Sequence, residues 1–141
     1  MKRLVVDQPD WVGPWVCSRA GGFYIPGGAY ALGVEENGEL IAGVLYDHYY
    51  VGASIAMHIA AEPGKRWMTR ENLRVAFGYP FEHLKVKKIL GVVEESNITA
   101  RKFDEHLGFI LETRIKDACA GGDLLIYTMT REQCRFLEVA K

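Results

Sequence analysis

Four histidines, three cysteines and one basic loop carry the reactive chemistry available to this chain of 141 residues. His48, His58, His83 and His106 make no HExxH pair, and none stands at ligand spacing from a cysteine, so no metal is expected. Cys17, Cys119 and Cys134 are odd in number and form no CxxC, which suits free thiols in a reducing cytoplasm. Ser54, in Gly52-Ala-Ser54-Ile-Ala56, lacks the second glycine of a nucleophile elbow and reads as a strand residue. Gly64-Lys65 lacks the upstream glycine and the following hydroxyl of a P-loop. What remains is Glu62-Pro-Gly-Lys-Arg-Trp-Met-Thr69. A helix starting at its end would present unpaired N–H groups and a partial positive charge, to which Lys65, Arg66 and Arg70 add full charges. That combination suits a phosphate or a pyrophosphate.

The elements that must position these groups follow from apolar spacing. Pro9 or Asp10 starts a helix through Trp11, Val12, Trp15 and Val16 that stops before Gly21-Gly22. Trp11 and Trp15, four apart, are expected to share a core-facing stripe. Residues 29–34 and 40–46 flank Asn37-Gly38, a strong signal for a tight hairpin. Residues 54–61 form a third strand, apolar on both faces and so central in its sheet. Thr69 caps a helix through Leu73, Ala76 and Phe77, which Gly78 and Pro80 end or kink. Residues 88–93 are a fourth strand. Ser96 or Asn97 opens a helix with an Ala100, Phe103, Leu107 stripe and Gly108 as its C-cap. Residues 110–118 and 124–130 make a last hairpin, and 131–139 a terminal helix or tail. Strand, helix and strand across 54–93 imply a right-handed parallel crossover between antiparallel hairpins. The expected fold is therefore mixed α+β or α/β, a central mixed β-sheet flanked by helices, in a single domain over 1–141.

Composition narrows the partners. Hydrophobic residues make up 49% of the chain and charged residues 25%, the balance of an ordinary globular domain. The net charge of −1 argues against a nucleic-acid-binding protein. Asp7 interrupts the apolar run after Met1-Lys2-Arg3, so the start does not read as a signal peptide. Residues 51–61 fall short of the roughly 18–20 apolar residues a membrane helix needs, and a cytoplasmic protein is expected. Of the 17 basic residues, nine lie within 64–102, against four glutamates there, which suggests a local anionic ligand.

The second helix carries a more specific pattern. Asn97-Ile-Thr-Ala-Arg-Lys-Phe-Asp-Glu-His-Leu-Gly-Phe109 resembles the N-x-x-A-x-x-ϕ-x-x-x-x-G-F signature of the GNAT N-acetyltransferases, ϕ being apolar. Asn97, Ala100, Phe103, Leu107, Gly108 and Phe109 all stand at the expected offsets. With the preceding strand, loop and helix the resemblance covers about residues 29–130. Phe77 to Phe81 followed by Leu84-Lys85-Val86 resembles the branch that includes ribosomal-protein N-terminal acetyltransferases.

The resemblance implies a GNAT-like acyl-CoA N-acyltransferase fold with acetyl-CoA held in a V-shaped opening between strands 54–61 and 88–93. It implies that the backbone of Ile59, Ala60 and Ala61 pairs with the pantetheine arm. Lys65, Arg66, Trp67, Met68 and Thr69 would hold the pyrophosphate. Asn97 would bond the pantetheine end, with Phe103 packed beside it. The loop lacks the glycines usual in the family, so side-chain charge would carry more of the phosphate contact. Many members place a tyrosine seven residues after the asparagine, to protonate the leaving thiolate. This chain has Asp104 there, which at an ordinary carboxylate pKa near about 4 would be ionised, and it receives no catalytic role.

An amine acceptor must lose a proton before it attacks a thioester, and His58 and Glu62 are the candidate bases. The aromatics Phe23, Tyr24, Tyr30, Tyr49 and Tyr50 are candidate walls for the acceptor. The expected activity is direct transfer of acetyl from acetyl-CoA to an amine, on a small molecule or a protein. A catalytically idle acyl-CoA-binding or protein-interaction module on the same fold is the alternative. Oligomeric state stays open, a homodimer included.

Overall fold

A computed structural model describes residues 1–137. Strand β1 (Lys2–Val6) leads into helix α1 (Pro9–Ala20). Three antiparallel strands follow: β2 (Tyr30–Glu36), β3 (Glu39–Tyr50) and β4 (Ser54–Ala61). Helix α2 (Arg70–Gly78) runs on through a π-helical turn, Tyr79–His83, to β5 (Lys88–Glu94). Helix α3 (Ile98–Leu107) and the hairpin of β6 (Ile110–Cys119) with β7 (Gly122–Thr130) complete it. The strands form one seven-stranded sheet in the order β1-β2-β3-β4-β5-β7-β6. Among the described strands only β4 and β5 run parallel, as the crossover through α2 requires. No helix among the described residues is long and apolar enough to cross a membrane.

Local chemistry explains most of the boundaries. Asn37 and Gly38 both take positive φ, 55° and 87°, in the two-residue turn between Glu36 and Glu39. The Thr69 hydroxyl accepts the Asn72 N–H at the start of α2, and Asn97 Oδ1 accepts the Ala100 N–H at the start of α3. Gly108, at φ 110°, closes α3 in the left-handed conformation. The π-helical turn explains why Gly78 and Pro80 redirect α2 without ending the helical path.

Two features depart from the sequence reading. β1 is a strand that the short Leu4-Val5-Val6 run did not announce. It forms an edge, pairing only with β2. The core-facing stripe of α1 is Val12, Gly13 and Val16, whereas Trp11 is 36% exposed and Trp15 packs at the margin. The sheet dictates this choice. Gly33 and Gly43 sit opposite each other on β2 and β3, and a Cβ at Gly43 would stand 2.6 Å from Val16 Cγ2. The helix thus lies close enough for valine and too close for an indole. Of the helix or tail expected over 131–139, residues 131–137 take the tail form, as turns and bends, while 138 and 139 lie outside the described residues.

The two faces of the sheet are covered differently. α1 packs on one face, with Val12 and Val16 against Leu45 and Ala60. α2 and α3 cover the other, where Leu73, Ala76, Phe77 and Leu107 join Met57, Ile89 and Tyr127 in the larger core.

Candidate active site

β4 and β5 stay paired for three residue couples only: Ser54 with Lys88, Ile55 with Ile89 and Ala56 with Leu90. Beyond Ala56, β4 keeps β3 on its far side through Ala61, but no described strand pairs with its near edge. The divergence opens a cleft of about 470 Å³, within the roughly 300–1,000 Å³ usual for small-molecule sites. Residues 57–61 and 91–94 form its strand walls, so backbone N–H and C=O groups of β4 face it as an unpaired edge. An extended, amide-bearing ligand can add to such an edge as a strand does. The cleft is open to both faces of the sheet. Arg19 to Gly22, at the end of α1, border one side, and Asn97, Phe103 and Asp104 of α3 border the other.

Side-chain alternation along β4 divides the chemistry between these faces. His58 shares the α1 face with Ala60, while Ile59 and Ala61 pack toward Trp67 and Phe103 on the α3 face. The His58 imidazole is hydrogen-bonded through Nε2 to Asp47 Oδ1 at 2.8 Å, and His48 Nδ1 meets the same oxygen at 2.9 Å. Regular register sets Asp47 diagonally across from His58, and the slip that follows between Asp47 and Tyr50, with His48 at φ 51°, accompanies the approach of the second imidazole to the same carboxylate. Burial by itself would raise the Asp47 pKa, but the bonds from His58 and His48 outweigh it and hold the carboxyl below its ordinary value. An ionised carboxylate only accepts, so His58 carries its proton on Nε2 and keeps Nδ1 as the basic nitrogen. Asp47 is the residue that sequence reasoning missed. The signal was a strand continuing past Tyr46 into a short connection, which sets position 47 diagonally across from His58.

On the α3 face, Asn97 lines the cleft with its side-chain oxygen engaged in the cap, leaving its amide nitrogen free for a ligand carbonyl. Phe103 also lines the cleft and stacks at a tilt on buried Trp67, ring centroids 6.4 Å apart. Asp104 is the unexpected member. Burial, then the neighbouring Glu105 charge, pushes its carboxyl up to about 7, so the expectation of an ordinary ionised aspartate fails.

The other candidates scatter. Ile59, Ala60 and Ala61 line the cleft as expected. Lys65 to Thr69 do not. Lys65 pairs with Glu36 at 2.9 Å, and Trp67 is buried in the core. The Thr69 N–H donates to the Trp67 carbonyl at 2.8 Å. Arg66 and Met68 are exposed on the same loop. Glu62 ends β4 in a 2.7 Å ion pair with Arg19, which ties α1 to the rim of the cleft. The aromatic residues expected around the acceptor lie elsewhere: Phe23 is exposed, the Tyr24 hydroxyl donates to Asp10, and Tyr30 stacks on Tyr79.

Comparison with solved structures places this architecture. A variant of the spermidine N-acetyltransferase SpeG from Vibrio cholerae superposes with a TM-score of 0.71 at 15% identity, over 97% of this chain and 96% of that one. The ribosomal-protein-S5-alanine acetyltransferase from Vibrio fischeri matches at 0.61 and 15% identity, over 76% of this chain and 64% of its own. An acetyltransferase of the GNAT family from Bacillus anthracis matches at 0.59 and 16% identity, over 72% and 66%. The chain has the GNAT fold. No family model and no curated protein sequence matches it. At these identities the likeness lies in backbone topology. The GNAT fold here includes the divergence of the two central strands, and the side chains that line that divergence are this chain's own.

Proposed function

We propose that this protein is an acyl-CoA N-acyltransferase that moves an acetyl group from acetyl-CoA directly to an amine, as a single cytoplasmic catalytic domain. The observation that carries the reading is the cleft itself, with an unpaired β4 edge along one wall and the His58–Asp47 pair on the α1 side. The cleft volume, the β4 edge and the free amide of Asn97 fit a pantetheine arm. Ile59 to Ala61 would pair with it along the backbone, and Phe103 would pack beside it. Acetyl-CoA supplies an activated thioester carbonyl. The amine approaches from the α1 face and loses its proton to His58 Nδ1 as its nitrogen attacks. Asp47 holds the ring in the tautomer that can accept, and stabilises the imidazolium that forms. Glu62, bound to Arg19, serves as a latch at the rim.

The test is thiol release from acetyl-CoA across a panel of amines. His58→Ala is expected to lower kcat by roughly 10²–10⁴-fold with acetyl-CoA affinity near wild type. Asp47→Asn is expected to lower it as well, by turning the ring. Turnover surviving in His58→Ala would remove the histidine from the reaction. The loop at 62–69 favours the second reading, an idle acyl-CoA-binding module, because Lys65 and the Thr69 N–H are already engaged. Acetyl-CoA binding without turnover for any amine would decide for that module.

A further inference from the structure

Beyond the cleft, the α1 side of the sheet is bare. Gly91 points to the α3 face, where a Cβ would stand 3.2 Å from Asp104 Oδ2, so its neighbour Val92 points to the α1 face. Val92 is 43% exposed and lines the cleft on the wall opposite His58. Ile126 of β7 stands beside Val92, and Leu124, the partner of Glu94, lines the cleft as well. Further out on β6, Ile115 stands opposite Leu124 and Ile110 opposite Thr128, the two isoleucines 50% and 53% exposed. Helix α1 does not serve this half of the sheet, since its apolar cluster takes strand residues from β1 to β4 alone. The cleft therefore continues, on the side of His58, into an apolar shelf two strand spacings or roughly 10 Å wide.

The shelf has little to offer a polar ligand. β7 is paired to β5 on one edge and to β6 on the other, so its backbone N–H and C=O groups are engaged. The carboxylates around the shelf have partners: Glu62 pairs with Arg19 at 2.7 Å, Glu94 accepts the Gly121 N–H at 3.2 Å, and Glu112 pairs with Lys88 at 2.7 Å. A second ammonium, or the amides of a peptide, would lose water here without a free carboxylate or strand edge to replace it. A hydrocarbon loses only its unfavourable contact with water.

We propose that the acceptor is a primary monoamine on an apolar body, an alkyl chain or an aromatic ring, and that Val92 and Ile126 select it. The inference rests on the acetyltransferase reading above and names the acceptor class for that site. With the amine nitrogen at His58, the body crosses to Val92 on the facing wall and lies along Ile126 and Leu124. The shelf is open to solvent at β6, so it sets a preference for apolar surface without fixing one length.

The experiment is thiol release from acetyl-CoA with straight-chain amines from propylamine to octylamine, whose basicity is nearly constant, beside spermidine and a peptide with a free N-terminus. The amine KM is expected to fall roughly twofold to fourfold per added methylene, with kcat nearly level along the series. Val92→Asp is expected to flatten that dependence and to raise kcat/KM for spermidine relative to hexylamine. Val92→Thr, close to valine in shape, should flatten it in part and serves if the first variant fails to fold. Sedimentation of wild type and Val92→Asp accompanies the kinetics. Turnover without chain-length dependence, or with spermidine or the peptide preferred, overturns the apolar class and leaves the acetyltransferase intact. A dependence unchanged in both variants overturns the placement on this shelf. A wild-type dimer that Val92→Asp dissociates gives the shelf to a second copy and overturns the proposal too. No turnover by wild type with any amine overturns both readings.

Discussion

Asp104 titrates differently in the folded and the unfolded chain, and the difference has a sign. Its folded pKa of about 7 lies above the roughly 3.9 of a free aspartate. Stability from this group is fully present below pH 4 and is lost as pH rises through the folded value. Asp104→Asn removes the titration, so its melting temperature should gain on wild type between pH 4 and 7 and hold a constant lead above. Parallel pH curves for the two proteins would mean that the carboxyl is not held neutral. The same residue marks where sequence reading reached its limit. The pattern around Asn97 located Asp104 correctly, but its ionisation depends on α3 lying against Gly91, a contact that no spacing encodes. His58 was legible as a cleft residue because it stands in the central strand. Asp47 was not, because its contact with His58 depends on β3 continuing past Tyr46 in register with β4.

At the scale of the elements, the hairpin turn at Asn37-Gly38, both helix caps and the parallel crossover were legible, since each is decided by residues close in sequence. The seating of α1 was not. Its two tryptophans have the right spacing for a buried stripe, but the glycine pair beneath the helix selects valines. Gly43→Ala should therefore destabilise the protein by about 1–3 kcal/mol, because the added methyl would meet both Val16 and Val12. Urea denaturation of the variant, and of the double variant with Val16→Ala, measures it. The double variant should recover part of the loss, and an unaffected single variant would mean that α1 is seated further out. β1 escaped notice for a related reason. An edge strand with one partner needs only a short apolar run, and five residues are too few for alternation to stand out.

Across the whole molecule, the order of elements, the mixed sheet and the position of the cleft were legible from the crossover and the Asn97 pattern. The engagement of Lys65, Trp67 and Thr69 was not, since it depends on Glu36 and on the packing of Phe103. The opening through the sheet has a kinetic consequence for the proposed reaction. The donor is expected from the α3 side and the acceptor from the α1 side, so both can be present at once and neither product has to pass the other on leaving. Initial-rate plots at several fixed amine concentrations should intersect, as a ternary complex requires, and not run parallel. Free CoA should compete with acetyl-CoA while lowering the maximal rate against the amine. Parallel lines would mean that acetyl rests covalently on the protein between two half-reactions. A sheet with two doors has no need of that waiting room.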